Sequence, residues 1–378
     1  MKKRIVVVGL GDSGLLTAIR LPRAYEVVAV SSKPCFVSGQ ELGTRLAYLE
    51  EWKSLNQHDY DRFRRLDHVH IIHGVVTSVD LKQQEVTIDD IDHRQHTERY
   101  DVLLVATGTT NGFWRSATLE SHQQIESQMT SQAETFRKAE TIAIVGGGPT
   151  AVSAASNLKE AYPTKSIHVF FSRDKLLSGY PESTREDVQR ILTEQDVELH
   201  SHHRAIVDGV DISVIGSSDI HWQTGQPPFS ADKILWALGA IQPNSQCLPK
   251  EILNQDGFVE VTPQLHHPDY KNVFAIGDIA ASDPNRSTAR NAGFVIAAKN
   301  IDHFLQGRSH WRFQSFRAPK YRWGSILGVQ ARGMRIYSPK GRAFVVKQWF
   351  TKAVLFPVIV HNFIYKGIRK SDARDQQN

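Results

Sequence analysis

Hydrophobic positions in this chain fall in short unbroken runs that end at glycine, and the runs recur twice in the same order. Ile5-Val6-Val7-Val8 is β-branched and apolar throughout, stops at Gly9, and is followed by Leu15, Ala18 and Ile19 at helical spacing. That pattern predicts a strand buried on both faces, a tight turn and an amphipathic helix. Val27 to Val30 reads as a second strand, and Tyr100 to Gly108 as another buried strand ended by a turn. Between them, residues 71 to 99 alternate apolar and polar positions with Asp, Gln and His at the turns, which predicts an antiparallel meander laid on the main sheet. From Ile142 the arrangement begins again. A strand from Ile142 to Val145 meets glycines at 146 to 148, a helix runs through Leu158, and strands follow at Ile167 to Phe171 and Ile234 to Ala240. A last strand, Val273 to Ile276, returns the chain to the first unit.

At 378 residues, with 40% hydrophobic and 22% charged positions, the chain has the composition of a folded protein with more than one core. Its two cysteines, Cys35 and Cys247, form no C-x-x-C pair, which points away from a disulfide framework and towards a reducing compartment. The apolar run after Met1-Lys2-Lys3-Arg4 is too short for a signal peptide, and no stretch approaches the roughly 18 uninterrupted apolar residues of a spanning helix. The formal charge of +5 is unevenly spread. Residues 317 to 374 are rich in Arg and Lys, with Asp372 as their only acid.

Candidate chemistry sits in the glycine turns. Gly9-Leu10-Gly11-Asp12-Ser13-Gly14 opens a helix directly after a strand. The first glycine permits the turn, the second lets a pyrophosphate approach the backbone, and the third allows helix and strand to pack closely. Free N–H groups at the helix start then face the phosphates. Gly146-Gly147-Gly148-Pro149-Thr150-Ala151 repeats the device with alanine last, so two dinucleotides are expected. At the end of the second unit's second strand, Ser172-Arg173 favours the 2′-phosphate of NADPH over the bare ribose of NADH; the alternatives for Arg173 are a solvated charge or a pair with Asp174.

Together with Ala106-Thr107-Gly108, Gly239 with Pro243, and Phe274-Ala275-Ile276-Gly277-Asp278, these turns resemble the pyridine nucleotide-disulfide oxidoreductase superfamily over roughly residues 4 to 306. Lys33-Pro34-Cys35-Phe36 is similar to a segment of its ferroptosis-suppressor and apoptosis-inducing-factor-like reductases, which stand beside the type II NADH dehydrogenases. The resemblance implies an α/β fold of two Rossmann-type domains, the second inserted in the first, plus a C-terminal module. Residues 1–110 and 245–306 would form the FAD-binding domain, 111–244 the NAD(P)-binding domain, and 307–378 the C-terminal module. It implies FAD on Gly9, Gly11, Asp12, Ser13, Gly14, Ser31, Ser32, Lys33, Val76, Ala106, Thr107, Gly108, Gly277 and Asp278, with Asp278 accepting a hydrogen bond from the ribityl chain. A helix N-cap is the alternative role for Asp278. NAD(P)H would lie on Gly146, Gly148, Pro149, Thr150, Ser172, Arg173 and Gly239, and no metal is expected.

The chain departs from that family's pattern at three places. Ser31-Ser32 replaces the acid at the end of the second strand, Ser153 replaces a glutamate, and Thr288 to Gly293 lacks the A-Q-x-x-x-Q quinone signature. Without paired thiols, disulfide reduction and sulfide oxidation are excluded, and hydride transfer from NAD(P)H to FAD and on to a quinone is expected. The alternatives are a soluble reductase of a small electron-transfer protein and a non-catalytic redox sensor. No side chain is singled out as an acid or base, because hydride transfer depends chiefly on alignment.

Within the C-terminal module, Val346, Trp349, Phe350, Val354, Leu355, Ile359 and Phe363 are spaced by threes and fours among Lys347, Lys352, Lys366, Arg369 and Lys370. An amphipathic helix over 345 to 370, kinked at Pro357, is predicted. It would dock on an anionic membrane surface, or pack on the flavin domain or a second copy. Nucleic acid is not an expected partner. A cytoplasmic protein, peripheral on the cytoplasmic face of a membrane, is the corresponding location.

Overall fold

The computed structural model describes residues 2–239, 241–289, 291–318 and 324–369. Met1, Ala240, Arg290 of the Thr288 to Gly293 segment, Lys370 and Asp372 lie outside them.

The first sheet has seven strands in the order Val273–Ala275, Val102–Val105, Arg4–Val8, Glu26–Ser31, Val69–Asp80, Glu85–Asp90 and Gln95–Arg99. Arg4–Val8 lies between two parallel neighbours, Ile5 pairing with Val27 on one side and Val102 on the other. Its continuous apolar run is what a strand covered on both faces requires. Ile5 and Val7 join one core with Val27, Ala29 and Leu104; Val6 and Val8 join a second with Val28, Val30 and Leu103.

Four parallel strands make the second sheet, in the order Glu198–His200, Ser166–Phe170, Thr141–Val145, Lys233–Trp236. It falls between Val102–Val105 and Val273–Ala275 of the first, so the second unit is inserted in the first. The two centres match bond for bond. Gly9 N donates to Val30 O and Gly146 N to Phe170 O, both at 2.8 Å, while Ala106 N donates to Val8 O and Ala237 N to Val145 O, also at 2.8 Å.

The meander is not a separate layer. Val69–Asp80 is bonded parallel to the first sheet from Val27↔Val69 to Ser31↔His73, then runs on past Gly74 to pair antiparallel with Glu85–Asp90. One twelve-residue strand therefore serves both pairings, which the alternation alone did not distinguish.

The helix expected over 345 to 370 begins only at Gln348, and a sheet precedes it. Gly324–Gln330, Gly333–Tyr337 and Ala343–Val346 form an antiparallel sheet, so Val345 and Val346 are strand residues. Cross-strand pairing with Met334 and Arg335 overrides the helical spacing of the sequence. This sheet packs on the helix Pro149–Ala161, where Asn157 Nδ2 donates to Leu327 O at 2.7 Å. Gln348–Phe350 then leads into the π-helical Thr351–Ile364, in which the Tyr365 N–H donates to Val360 O. Winding of this kind brings residues five apart onto one face. Lys352, Pro357 and Asn362 are exposed, as are Ala353, Val358 and Phe363, while Leu355, Val360 and Tyr365 turn inward. No helix among the described residues is long and apolar enough to cross a membrane.

Candidate functional site

The two glycine turns are shaped by what cannot fit in them. At Gly9, φ is +97° and a Cβ would lie 2.5 Å from Ala106 O; at Gly146 it would lie 2.2 Å from Ala237 O. A Cβ on Gly14 would sit 1.8 Å from Gly9 O, so the first helix can approach its strand only without one. Gly11 and Gly148, by contrast, have nothing within 4 Å of a Cβ position, which leaves an open cradle at each helix start. They are the N-caps of Asp12–Ala18 and Pro149–Ala161, and neither N-terminus is closed by a side-chain cap. Backbone N–H groups thus remain available at both, which fits a pyrophosphate in each.

A cleft of about 1090 Å³ opens along the first turn. Gly9, Gly11, Asp12, Ser13, Ser31, Ser32, Lys33, Val76, Ala106, Thr107, Gly108, Gly277 and Asp278 all line it, as do Pro149 and Thr150. A second cavity of about 410 Å³ is lined by Gly148, Pro149, Ser172 and Arg173, and also by Lys175. Pro149, Tyr180 and Asn285 belong to both, so the cavities adjoin at the start of the second unit's helix. Gly14, Gly146 and Gly239 line neither. The first two are packing positions beneath their turns, and Gly239, at φ +73°, turns the chain towards Gln242-Pro243, which pairs with Thr109-Thr110 and ties the two units together.

Side chains brought in from afar complete the larger cleft. Asp278 lies in a single turn, Gly277–Ile279, that it does not cap; Arg115 Nη1 donates to its Oδ2 at 2.8 Å, and Arg115 Nε donates to Gly39 O at 3.0 Å. Asp12 accepts from Ser38 Oγ at 2.8 Å and from Gly39 N at 3.1 Å, so the same loop is held from both sides. Ser31 Oγ meets the Tyr60 hydroxyl at 2.8 Å and accepts from Lys33 N at 3.2 Å, and it is buried. A carboxylate does stand beside that strand end, that of Glu120, whose N–H donates to Ser32 O and whose side chain pairs with Lys33. Burial draws the Lys33 ammonium below its ordinary pKa, against the pull of Glu120. Val360, Ile364 and Tyr365 of the C-terminal segment also line the cleft. None of Arg115, Glu120 or Tyr365 sits in a recognisable motif.

Elsewhere the family pattern is altered by packing. A Cβ on Gly43 would lie 2.6 Å from Ser153 Oγ, so the helices Leu42–Ala47 and Pro149–Ala161 touch where a longer side chain at 153 would need room. Arg173 is exposed and has no ion pair among the described residues; Asp174 pairs instead with His202 at 3.1 Å. Both thiols are free. Burial pushes Cys35 up to about 12 and raises Cys247 as well, so neither is poised as a thiolate near neutrality.

Residues 3–294 match the pyridine nucleotide-disulphide oxidoreductase family model. Over 333 residues the chain is 27% identical to apoptosis-inducing factor homolog B of Dictyostelium discoideum, covering 82% of this chain and 83% of that one. It is also 27% identical over 271 residues to an NADH dehydrogenase-like protein of Bacillus subtilis, covering 70% and 71% of the two chains. The sulfide:quinone oxidoreductase of Aquifex aeolicus shares the fold at TM-score 0.67 and 13% identity, over 98% of this chain and 100% of that one. With twin glycine turns, two adjoining cavities and a family match over most of its length, the chain belongs to the pyridine nucleotide-disulphide oxidoreductases, as an oxidoreductase that uses FAD and NAD(P)H.

Proposed function

We propose that this protein is an NAD(P)H:quinone oxidoreductase that works at an anionic membrane surface. In this reading residues 1–110 and 245–306 hold FAD, residues 111–244 hold NAD(P)H, and 307–378 form a C-terminal module that carries the membrane-docking segment. Bound FAD would supply the redox chemistry between the nicotinamide and the quinone. The chain's own residues bind and align. Gly9, Gly11 and the Asp12–Ala18 helix start hold one pyrophosphate, Gly148 and the Pro149–Ala161 helix start the other, and Pro149, Tyr180 and Asn285 stand where the two ligands would meet. Asp278, steered by Arg115, would accept from the ribityl chain. Glu120, with Ser31 and Ser32 beside it, takes the place of the missing ribose acid. Arg173 and Lys175, both exposed on the smaller cavity, favour NADPH.

The single observation that carries the quinone reading is a segment with two faces. Val360, Ile364 and Tyr365 line the cleft, while Trp349, Val358, Ile359 and Phe363 of the same segment are exposed. An apolar acceptor leaving lipid along that segment would reach the cleft without crossing water.

Stopped-flow mixing of the flavin-loaded protein with NADPH or NADH, followed by a short-chain quinone, tests the reading. Fast bleaching and fast reoxidation by the quinone, with slow reoxidation by oxygen, is the expected result. Bleaching without reoxidation by the quinone would assign another acceptor, and no bleaching would remove the enzyme.

A further inference from the structure

On the face of the second sheet away from the Pro149–Ala161 helix, three side chains converge at the sheet's outer edge. Glu198–His200 is the edge strand, paired with Ser166–Phe170 so that Glu198 lies opposite His168 and His200 opposite Phe170. His168 Nδ1 is 3.1 Å from His200 Nε2 and 3.4 Å from Glu198 Oε2, and His200 Nε2 is 3.9 Å from that same oxygen. We propose that His168, Glu198 and His200 bind one transition-metal cation of the Zn²⁺ class.

The triangle has the size such an ion demands. Zinc bonds imidazole nitrogen and carboxylate oxygen at about 2.0 to 2.2 Å, so two ligands of a tetrahedral ion stand about 3.4 Å apart. The three observed edges bracket that value, and a fourth position is left towards solvent. The remaining nitrogen of His168, Nε2, lies 2.9 Å from Ser166 Oγ. That hydroxyl can accept from Nε2–H, in the tautomer that leaves Nδ1 a lone pair for a metal, as a bonded outer nitrogen does in known histidine sites. His168 is held by its neighbours, its ring 4.6 Å from that of Phe229 and stacked on Phe170. The side chains of His168, His200 and Glu198 are 10%, 28% and 56% exposed, a gradient from an anchored ligand to an open entrance. Two nitrogens and one oxygen exclude Mg²⁺ and Ca²⁺, which take oxygen cages.

A bound ion would clamp a three-residue edge strand to its neighbour. The chain after it bonds back through His203 N to Phe171 O at 3.0 Å, beside Ser172 and Arg173. The site stands whether or not the quinone reading holds, because none of its ligands lines either cavity.

Untagged, flavin-loaded protein should be stripped with a chelator, desalted and titrated with ZnCl₂ by calorimetry, with bound metal counted after dialysis. One equivalent is expected, with a rise in melting temperature and no response to Mg²⁺ or Ca²⁺. Glu198→Gln, a change at an exposed position, should weaken binding at least tenfold, and His200→Gln at least a hundredfold, with flavin content unchanged. Absence of stoichiometric Zn²⁺ binding by the stripped wild type would overturn the proposal. Binding undiminished in both variants would do so too, since it would move the ion to other histidines.

Discussion

Arg115 and Asp278, 163 positions apart in sequence, meet across the larger cleft at 2.8 Å. The carboxylate that the late glycine-aspartate turn presents to the cleft is therefore oriented by a guanidinium from a loop that no motif marks. Removing Arg115 leaves Asp278 unsteered and frees the Gly39 carbonyl. Arg115→Ala should weaken FAD binding by about ten- to a hundredfold, the worth of a charge-assisted hydrogen bond. Arg115→Lys, which keeps charge and loses the fork, should lie between. Titration of the apoprotein with FAD, followed by flavin fluorescence, measures both; equal affinity in all three proteins would remove Arg115 from the site.

Arg173 and Lys175 border the smaller cavity, exposed and on the side of Ser172. A 2′-phosphate there would gain a charge-assisted contact that a hydroxyl would not. Arg173→Ala should raise KM for NADPH about tenfold and leave KM for NADH and both kcat values within a factor of two. A variant whose NADPH KM does not move would return Arg173 to the role of a solvated charge.

Much of this arrangement was legible because its determinants are local. A β-branched run ending at Gly9 or Gly146 states strand, turn and helix within a dozen residues, and the positive φ angles at both glycines carry that pattern into the backbone. What escaped was set by tertiary contact. Glu120 reaches Lys33 from 87 positions away, so Ser31-Ser32 gave no hint of the carboxylate beside them. Val346 fits the helical spacing of the residues that follow it, yet a partner strand at Gly333–Tyr337 claims it. The five-residue face of Thr351–Ile364 could not be found with a period of 3.6.

His58 and His361 join the first unit to the C-terminal segment, their rings perpendicular with centroids 5.5 Å apart. Burial drives His58 down to about 3, and Arg62 and His361 push the same way; burial also lowers His361. A histidine with a folded pKa below its unfolded value of about 6.5 stabilises the fold fully above 6.5. That stabilisation is lost as pH falls from 6.5 towards 3. Between pH 7.5 and 5.0 the loss from His58 is about 2 kcal/mol. Thermal unfolding at the two pH values should show the wild type losing roughly 4 °C more than His58→Leu, given typical entropies for domains of this size. An equal loss in both would mean that His58 is not the titrating group.

Trp349 and Phe363 are 64% and 65% exposed, so they can be changed without disturbing the residues that close the cleft. Deleting the whole segment is a poorer test of membrane docking. It would remove Val360, Ile364 and Tyr365 from the cleft wall, and with them the ion pair between Arg369 and Asp67 at 2.7 Å. Part of the segment's basic charge is already spent within the chain, Lys352 pairing with Glu51 at 3.1 Å. Attraction to anionic lipid therefore falls to Lys347 and Lys366 with the nearby Lys340 and Arg342, each worth about 1 kcal/mol near such a surface. Burying the two aromatic rings would add about 2 kcal/mol apiece. Trp349→Ser with Phe363→Ser should lower flotation on phosphatidylserine vesicles at least tenfold, leaving flavin content and reduction of a water-soluble quinone unchanged. High salt should weaken flotation of the wild type, because the basic residues act through a screened field. Equal flotation of variant and wild type would assign the exposed rings to a protein contact instead, and the route from lipid to cleft would lose its entrance.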